Sequence, residues 1–243
     1  MAPTVEILAD KPALVTRARE LMLETIESAI AARGKATLAL SGGSTPKPLY
    51  ASLTEANLPW DKLYIFWGDE RYVPHDHEKS NVRMTHETWL SHVPIPASNI
   101  FPMPTSAGDP AKDAAEYEKT LKDFFQLKDG EFPAIDFVLQ GMGDDGHTAS
   151  LFPHTDALSM TDQLITVGNH NGNPRITFTY PFINQGRKVV FLVAGENKQQ
   201  ALSQVFSPDA DPKDYPSKLI QPSNGPHWLL DEAAGQGIPS QYK

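Results

Sequence analysis

Four short apolar runs, Ala36–Leu40, Leu63–Trp67, residues 135–139 and residues 188–194, each pass directly into a polar turn that carries glycine. Runs of this length bounded by glycine read as strands buried on both faces. Helix-spaced apolar positions alternate with them. Leu14, Ala18, Leu21, Met22, Ile26, Ala29 and Ile30 mark a helix over residues 12–33 that Gly34 should stop. Further helices are expected over residues 46–53 and 80–91, through Ala114, Tyr117, Leu121 and Phe124, and from about Glu196. Additional strands fall at residues 5–9 and 175–180. Repeated strand–turn–helix units predict an α/β fold, a mostly parallel sheet flanked by helices. Ligands of such sheets sit beyond the carboxyl ends of the strands, where these polar turns would gather. No internal repeat, low-complexity tract or linker interrupts the pattern, which favours one domain over residues 1–243.

Composition removes several classes of function. No stretch approaches the ~20 consecutive apolar residues that cross a bilayer, and the first residues lack the basic and apolar regions of a secretory signal. The expectation is a cytoplasmic protein without a membrane partner. The absence of cysteine excludes disulfides, thiolate nucleophiles and cysteine-ligated metals. A net charge of −9 with no run of Lys or Arg argues against nucleic acid. Monomer and small homo-oligomer both stay open. If the ligand is a small phosphate ester, the positive residues beside the glycine turns become the ones to inspect.

Ser41-Gly42-Gly43-Ser44-Thr45-Pro46 lies where a strand hands over to a helix, so its backbone N–H groups can point at an anion. The same residues also suit a plain tight turn, with Thr45 as helix cap and Pro46 as first helical residue. Gly141-Met142-Gly143-Asp144-Asp145-Gly146 fits the dinucleotide pattern G-x-G-x-x-G literally. Its context does not, because Pro153 follows too soon for the long helix that such a site requires. What this turn does supply is His147 beside Asp144 and Asp145. An imidazole takes a proton near neutrality, and a neighbouring carboxylate can fix its tautomer, which is the equipment of a general base. No G-x-S-x-G elbow is present. His75-Asp76-His77 lacks a third metal ligand and reads as a solvated loop. Residues 101–109, rich in Pro, Ser and Gly, read as either a lid or a connector. Arg71, Arg175 and Lys198 sit at strand ends or strand–helix junctions and could converge on a phosphate.

Three segments, taken in order, resemble the 6-phosphogluconolactonase family. They are residues 41–46, Gly68-Asp69-Glu70-Arg71 with Ser80-Asn81, and the long stretch from Gly141 through His147 to Pro153. Arg175-Ile176-Thr177-Phe178-Thr179, Ala194-Gly195-Glu196-Asn197-Lys198 and His227-Trp228-Leu229-Leu230-Asp231 extend the resemblance across nearly the whole chain. It implies a Rossmann-like fold shared with glucosamine-6-phosphate deaminase and ribose-5-phosphate isomerase. It also implies hydrolysis of a sugar-phosphate lactone in the pentose phosphate pathway, with no metal or other cofactor. By the same resemblance His147 is the general base and Asp145 its partner. Gly42, Gly43, Ser44, Thr45, Asp69, Arg71, Arg175 and Lys198 form the phosphate- and sugar-binding surface. Asp144 falls outside this set. Two rivals remain, a deaminase-like isomerase and a non-catalytic sugar-phosphate-binding domain. Against the first, its motif carries a catalytic glutamate where this chain has Phe152. Against the second, the chain begins at once with a strand, which leaves no room for a DNA-binding helix-turn-helix.

Overall fold

A computed structural model describes residues 1–242. Its strands are β1 (Thr4–Leu8), β2 (Ala36–Leu40), β3 (Leu63–Trp67), β4 (Asp69–Arg71), β5 (Phe137–Gln140), β6 (Ile165–His170), β7 (Asn173–Phe178), β8 (Lys188–Val193) and β9 (His227–Asp231). The α-helices are α1 (Lys11–Arg33), α2 (Lys47–Ser52), α3 (Asn81–Thr88), α4 (Pro110–Phe125), α5 (Tyr180–Ile183), α6 (Gln199–Val205) and α7 (Glu232–Gly235). Six strands form one sheet in the order β1-β9-β8-β5-β2-β3, and every neighbouring pair is parallel. Strands β2, β3, β5 and β8 are mostly apolar and buried because both faces are covered, whereas the edge strand β1 is partly exposed. Leu38, Leu40, Ile65, Trp67 and Leu139 share a cluster with Leu14, Met22 and Ile26 of α1. Their neighbours Ala39, Phe66 and Val138 share another with Tyr117 and Leu121 of α4 and Leu202 of α6.

Helix α1 shows how locally its boundaries are written. Asp10 accepts a hydrogen bond from the Ala13 N–H at 2.8 Å and caps the first turn. Gly34, at φ 75°, turns left-handed and donates its N–H to Ile30 O at 2.8 Å, closing the last turn. Asp10→Ala should therefore cost about 1 kcal/mol of stability, the typical worth of an N-cap. Urea unfolding checks this, and an unchanged midpoint would deny the cap its role.

Three expected boundaries shift, each for a visible reason. Pro46, not Thr45, occupies the capping position of α2, which begins at Lys47 without a side-chain cap. The strand expected at residue 135 starts at Phe137. Just before it, the Asp136 carboxylate takes the Thr37 N–H and hydroxyl at 2.9 Å, and the Asp136 N–H bonds the Thr37 hydroxyl. Side chain replaces ladder there. The helix expected to reach residue 91 stops at Thr88, since Trp89 leaves helical backbone to bury its ring between Tyr50 and Trp60, at 6.0 and 6.3 Å.

A second sheet, β4-β7-β6, is antiparallel and was not foreshadowed by the apolar runs. Gly68 joins the two sheets. Its N–H bonds Leu40 O at 2.9 Å, and its carbonyl accepts from Phe178 N at 2.8 Å, so the chain leaves β3 and enters β4 across one residue. Asn171 and Gly172, at φ 52° and 82°, supply the two left-handed residues of the tight β6–β7 hairpin. Ile165, Ile176 and Phe178 of this small sheet pack in the same cluster as Phe191 and Trp228 of the large one.

Candidate functional site

Strands β2 and β5 lie side by side, but the next large-sheet strand after β2 is β3, on one side, and the next after β5 is β8, on the other. The loops that follow them, residues 41–46 and 141–147, therefore diverge and leave a crevice at the carboxyl ends, the usual ligand site of an open α/β sheet. The edge of the small sheet and the turn after β8 close its sides. A cleft of about 260 Å³ results. Gly42, Gly43, Ser44, Thr45, Asp69, Arg71, His147, Arg175 and Lys198 all line it, and Asp145 stands behind His147.

The 41–46 loop is built for close approach. A Cβ at Gly42 would lie 1.9 Å from Asn81 Oδ1, and Gly43 sits at φ 102°, so neither position admits a side chain without rearrangement. Tyr50, fully buried, pins the loop from beneath, accepting from Ser41 N at 3.0 Å and donating to Ser41 O at 2.7 Å. The backbone N–H groups of Gly42, Gly43, Ser44 and Thr45 have no acceptor among the described residues. A row of free donors at the end of a strand is an anion cradle.

Facing that cradle are the two arginines. Arg71 and Arg175 are direct cross-strand partners in the β4–β7 ladder, so their side chains share a face. Like charges placed opposite one another destabilise a sheet unless an anion lies between them. Arg71 donates Nη1 to Lys79 O at 2.6 Å, while its buried Nε has no partner among the described residues. The Arg175 side chain rests on the Phe152 ring, 5.4 Å from its centroid, with no hydrogen bond or ion pair among the described residues. Burial lowers its pKa, with Asp69 opposing and Arg71 adding to the effect. Two guanidinium groups thus keep unused donors in one cleft.

His147 is held by its own loop. Asp145 Oδ1 takes the His147 backbone N–H at 3.1 Å and lies 2.6 Å from ring Nδ1. Burial alone would raise the Asp145 pKa, but the hydrogen bonds and charge of His147 outweigh it and bring it down to about 2. An ionised carboxylate only accepts, so the imidazole proton sits on Nδ1 and Nε2 is left as the basic nitrogen. Gly143 is required here, because a Cβ would fall 2.1 Å from His147 Nδ1. Phe152 packs on the other side at 4.3 Å between ring centroids. No helix opens from Gly146, so the arrangement is not that of a dinucleotide loop.

The structure adds residues that sequence reasoning did not place. Ser150 donates to Asp69 Oδ2 at 2.6 Å, and Asn81 Nδ2 donates to the Asp69 carbonyl at 2.9 Å, so Asp69 is fixed from two distant segments. Both lie in segments that carry the family resemblance, Asn81 in the second and Ser150 in the third, but neither was assigned to the site. Lys198 reaches the cleft paired with Asp144, the carboxylate set aside in the sequence. His75 bonds Met103 O at 2.8 Å, and no cluster of three His, Asp or Glu among the described residues could hold a metal. Residues 101–109 do not line the cleft. They are tied down through that bond and through Thr105 Oγ1 to Val73 O at 2.7 Å, as a connector is.

A glycine-rich loop, paired arginines and a carboxylate-held histidine thus line one crevice, and the likeness to known proteins extends over the sequence. The chain belongs to the glucosamine-6-phosphate isomerase/6-phosphogluconolactonase family, whose model matches residues 9–229. Within it, the chain is similar to the 6-phosphogluconolactonase of Synechocystis sp., 56% identical over 98% of this chain and 99% of the relative. The Nostoc sp. 6-phosphogluconolactonase is 58% identical over 97% and 98%. Among solved structures, the 6-phosphogluconolactonase from Trypanosoma cruzi superposes with a TM-score of 0.87 at 29% identity, over 97% of each chain. A monomeric glucosamine-6-phosphate deaminase shares the fold, with a TM-score of 0.79 at 20% identity.

Proposed function

We infer that this chain hydrolyses 6-phospho-D-glucono-1,5-lactone to 6-phosphogluconate. The observation that carries the reading is the facing of Arg71 and Arg175 across one ladder, opposite free backbone donors and beside a basic histidine. The near full-length similarity to 6-phosphogluconolactonases supports it. In this reading the arginines, Lys198 and the 42–45 backbone hold the phosphate, which carries the lactone carbonyl to His147. Asp69 serves the sugar.

The chemistry needs only water. His147 Nε2 accepts a proton as the water oxygen bonds the lactone carbonyl carbon, giving a tetrahedral oxyanion. Donors already fixed in place stabilise that charge more than water would, since they need no reorganisation. Collapse breaks the bond from that carbon to the ring oxygen, which leaves with the proton returned from His147. The product is the open acid, which ionises. Asp145 keeps the imidazole in the productive tautomer and balances its transient charge. No covalent enzyme intermediate is involved.

The test supplies freshly generated lactone and, separately, glucosamine-6-phosphate, with spontaneous hydrolysis subtracted from the first. Enzyme-dependent acid release from the lactone is expected. Ammonia released from the amino sugar, with no acceleration of lactone opening, would replace this reading with the deaminase one. Binding of 6-phosphogluconate without turnover of either compound would leave a binding domain.

A further inference from the structure

Asp144 stands one residue before the carboxylate that holds His147, yet it takes no part in that pair. Its Oδ1 accepts from Lys198 Nζ and, at 2.8 Å, from Asn197 Nδ2. The contact links the loop after β5 to the turn after β8. Lys198 lines the cleft alongside Arg71 and Arg175, whereas Asp144 does not, and the Asp144 side chain is 63% exposed against 18% for Lys198. Of the three cations in the cleft, Lys198 alone is matched to a carboxylate among the described residues; the guanidinium groups keep donors unused. Hydrogen bonding from Lys198 lowers the Asp144 pKa and keeps the carboxylate charged at neutral pH.

A phosphate dianion drawn to this cleft would find Lys198 already neutralised. Two anions on one ammonium repel each other, and the exposed one can move into solvent at little cost, because screened surface pairs hold weakly. We propose that Asp144 is an intramolecular stand-in for the substrate phosphate, holding Lys198 at the mouth of the cleft and releasing it when a phosphorylated ligand arrives. The inference rests on the sugar-phosphate reading of the cleft. It makes the clasp a brake on phosphate affinity. A ligand without a phosphate cannot displace Asp144 and gains nothing from Lys198, while a phosphorylated one binds less tightly than the three cations alone would allow.

Asp144→Asn keeps an oxygen for Asn197 and removes the competing charge. KM for the phosphorylated lactone, and the calorimetric Kd for 6-phosphogluconate, should fall about 2–5-fold, the range of an exposed ion pair. Unphosphorylated gluconolactone should show no such change. Lys198→Gln alone should weaken 6-phosphogluconate binding, and adding Asp144→Asn to it should bring no further gain. A gain that persists in the Lys198→Gln background, or that extends to gluconolactone, would overturn the stand-in. So would an Asp144→Asn protein with unchanged or raised KM, while a weakened Lys198→Gln would still uphold the phosphate reading. A Lys198→Gln protein that binds 6-phosphogluconate like the parent would remove the phosphate role of Lys198, and the stand-in with it.

Discussion

His147→Asn should fold as the parent does, bind 6-phosphogluconate, and turn over the lactone at least ~10²-fold more slowly, the lower end of what a positioned base contributes. Asparagine fills similar space beside Phe152 and can still meet Asp145, but it has no basic nitrogen for the water proton. The expected loss is in kcat, since the base acts in the transition state and not in holding the phosphate. The Asp145 carboxyl, brought down to about 2, stays ionised across the accessible pH range and keeps its hold on the imidazole throughout. A folded His147→Asn enzyme with near-normal turnover would remove His147 from the mechanism and leave the family assignment intact.

Arg175→Ala should lower kcat/KM by about 10–100-fold, the equivalent of the 1.5–3 kcal/mol that a charge-assisted hydrogen bond supplies. The loss should appear mainly in KM, because the phosphate is held equally before and during the reaction. Arg71→Ala should behave alike. Folding should respond differently from activity. Arg71 and Arg175 oppose each other in the β4–β7 ladder, so removing one relieves a like-charge pair. The thermal midpoint of the ligand-free Arg175→Ala protein is expected to hold or rise, while stabilisation by added 6-phosphogluconate shrinks. Full kcat/KM in both variants would deny the arginines the phosphate. A steep fall in the midpoint of either would instead mark them as structural members of the small sheet.

The sequence alone determined whatever depends on neighbours in the chain. The alternation of apolar runs with helical periodicity specified a parallel sheet covered on both faces, as Leu38 and Ala39 now show by packing into opposite clusters. Gly34 announced the end of α1, and the glycine turns announced loops that approach a ligand. His147 was legible beside its carboxylate because Asp145 is two residues away and the hydrogen bond is local. Strand β4 was not legible. Asp69-Glu70-Arg71 is three polar residues long, and Glu70 is fully buried because Ser80, Asn81 and Val82 bond its carboxylate, a compensation no periodicity records.

Only the tertiary structure decided which distant residues meet. Arg71 faces Arg175 because Gly68 carries the chain out of the large sheet into an antiparallel ladder with β7. Ser150 reaches Asp69 across 81 residues, and Lys198 finds Asp144 across 54. Pairings of this kind follow from strand order and register, which are settled by packing whole elements against one another. Hydrophobic periodicity reports how a segment is buried; it carries no label for the segment it is buried against.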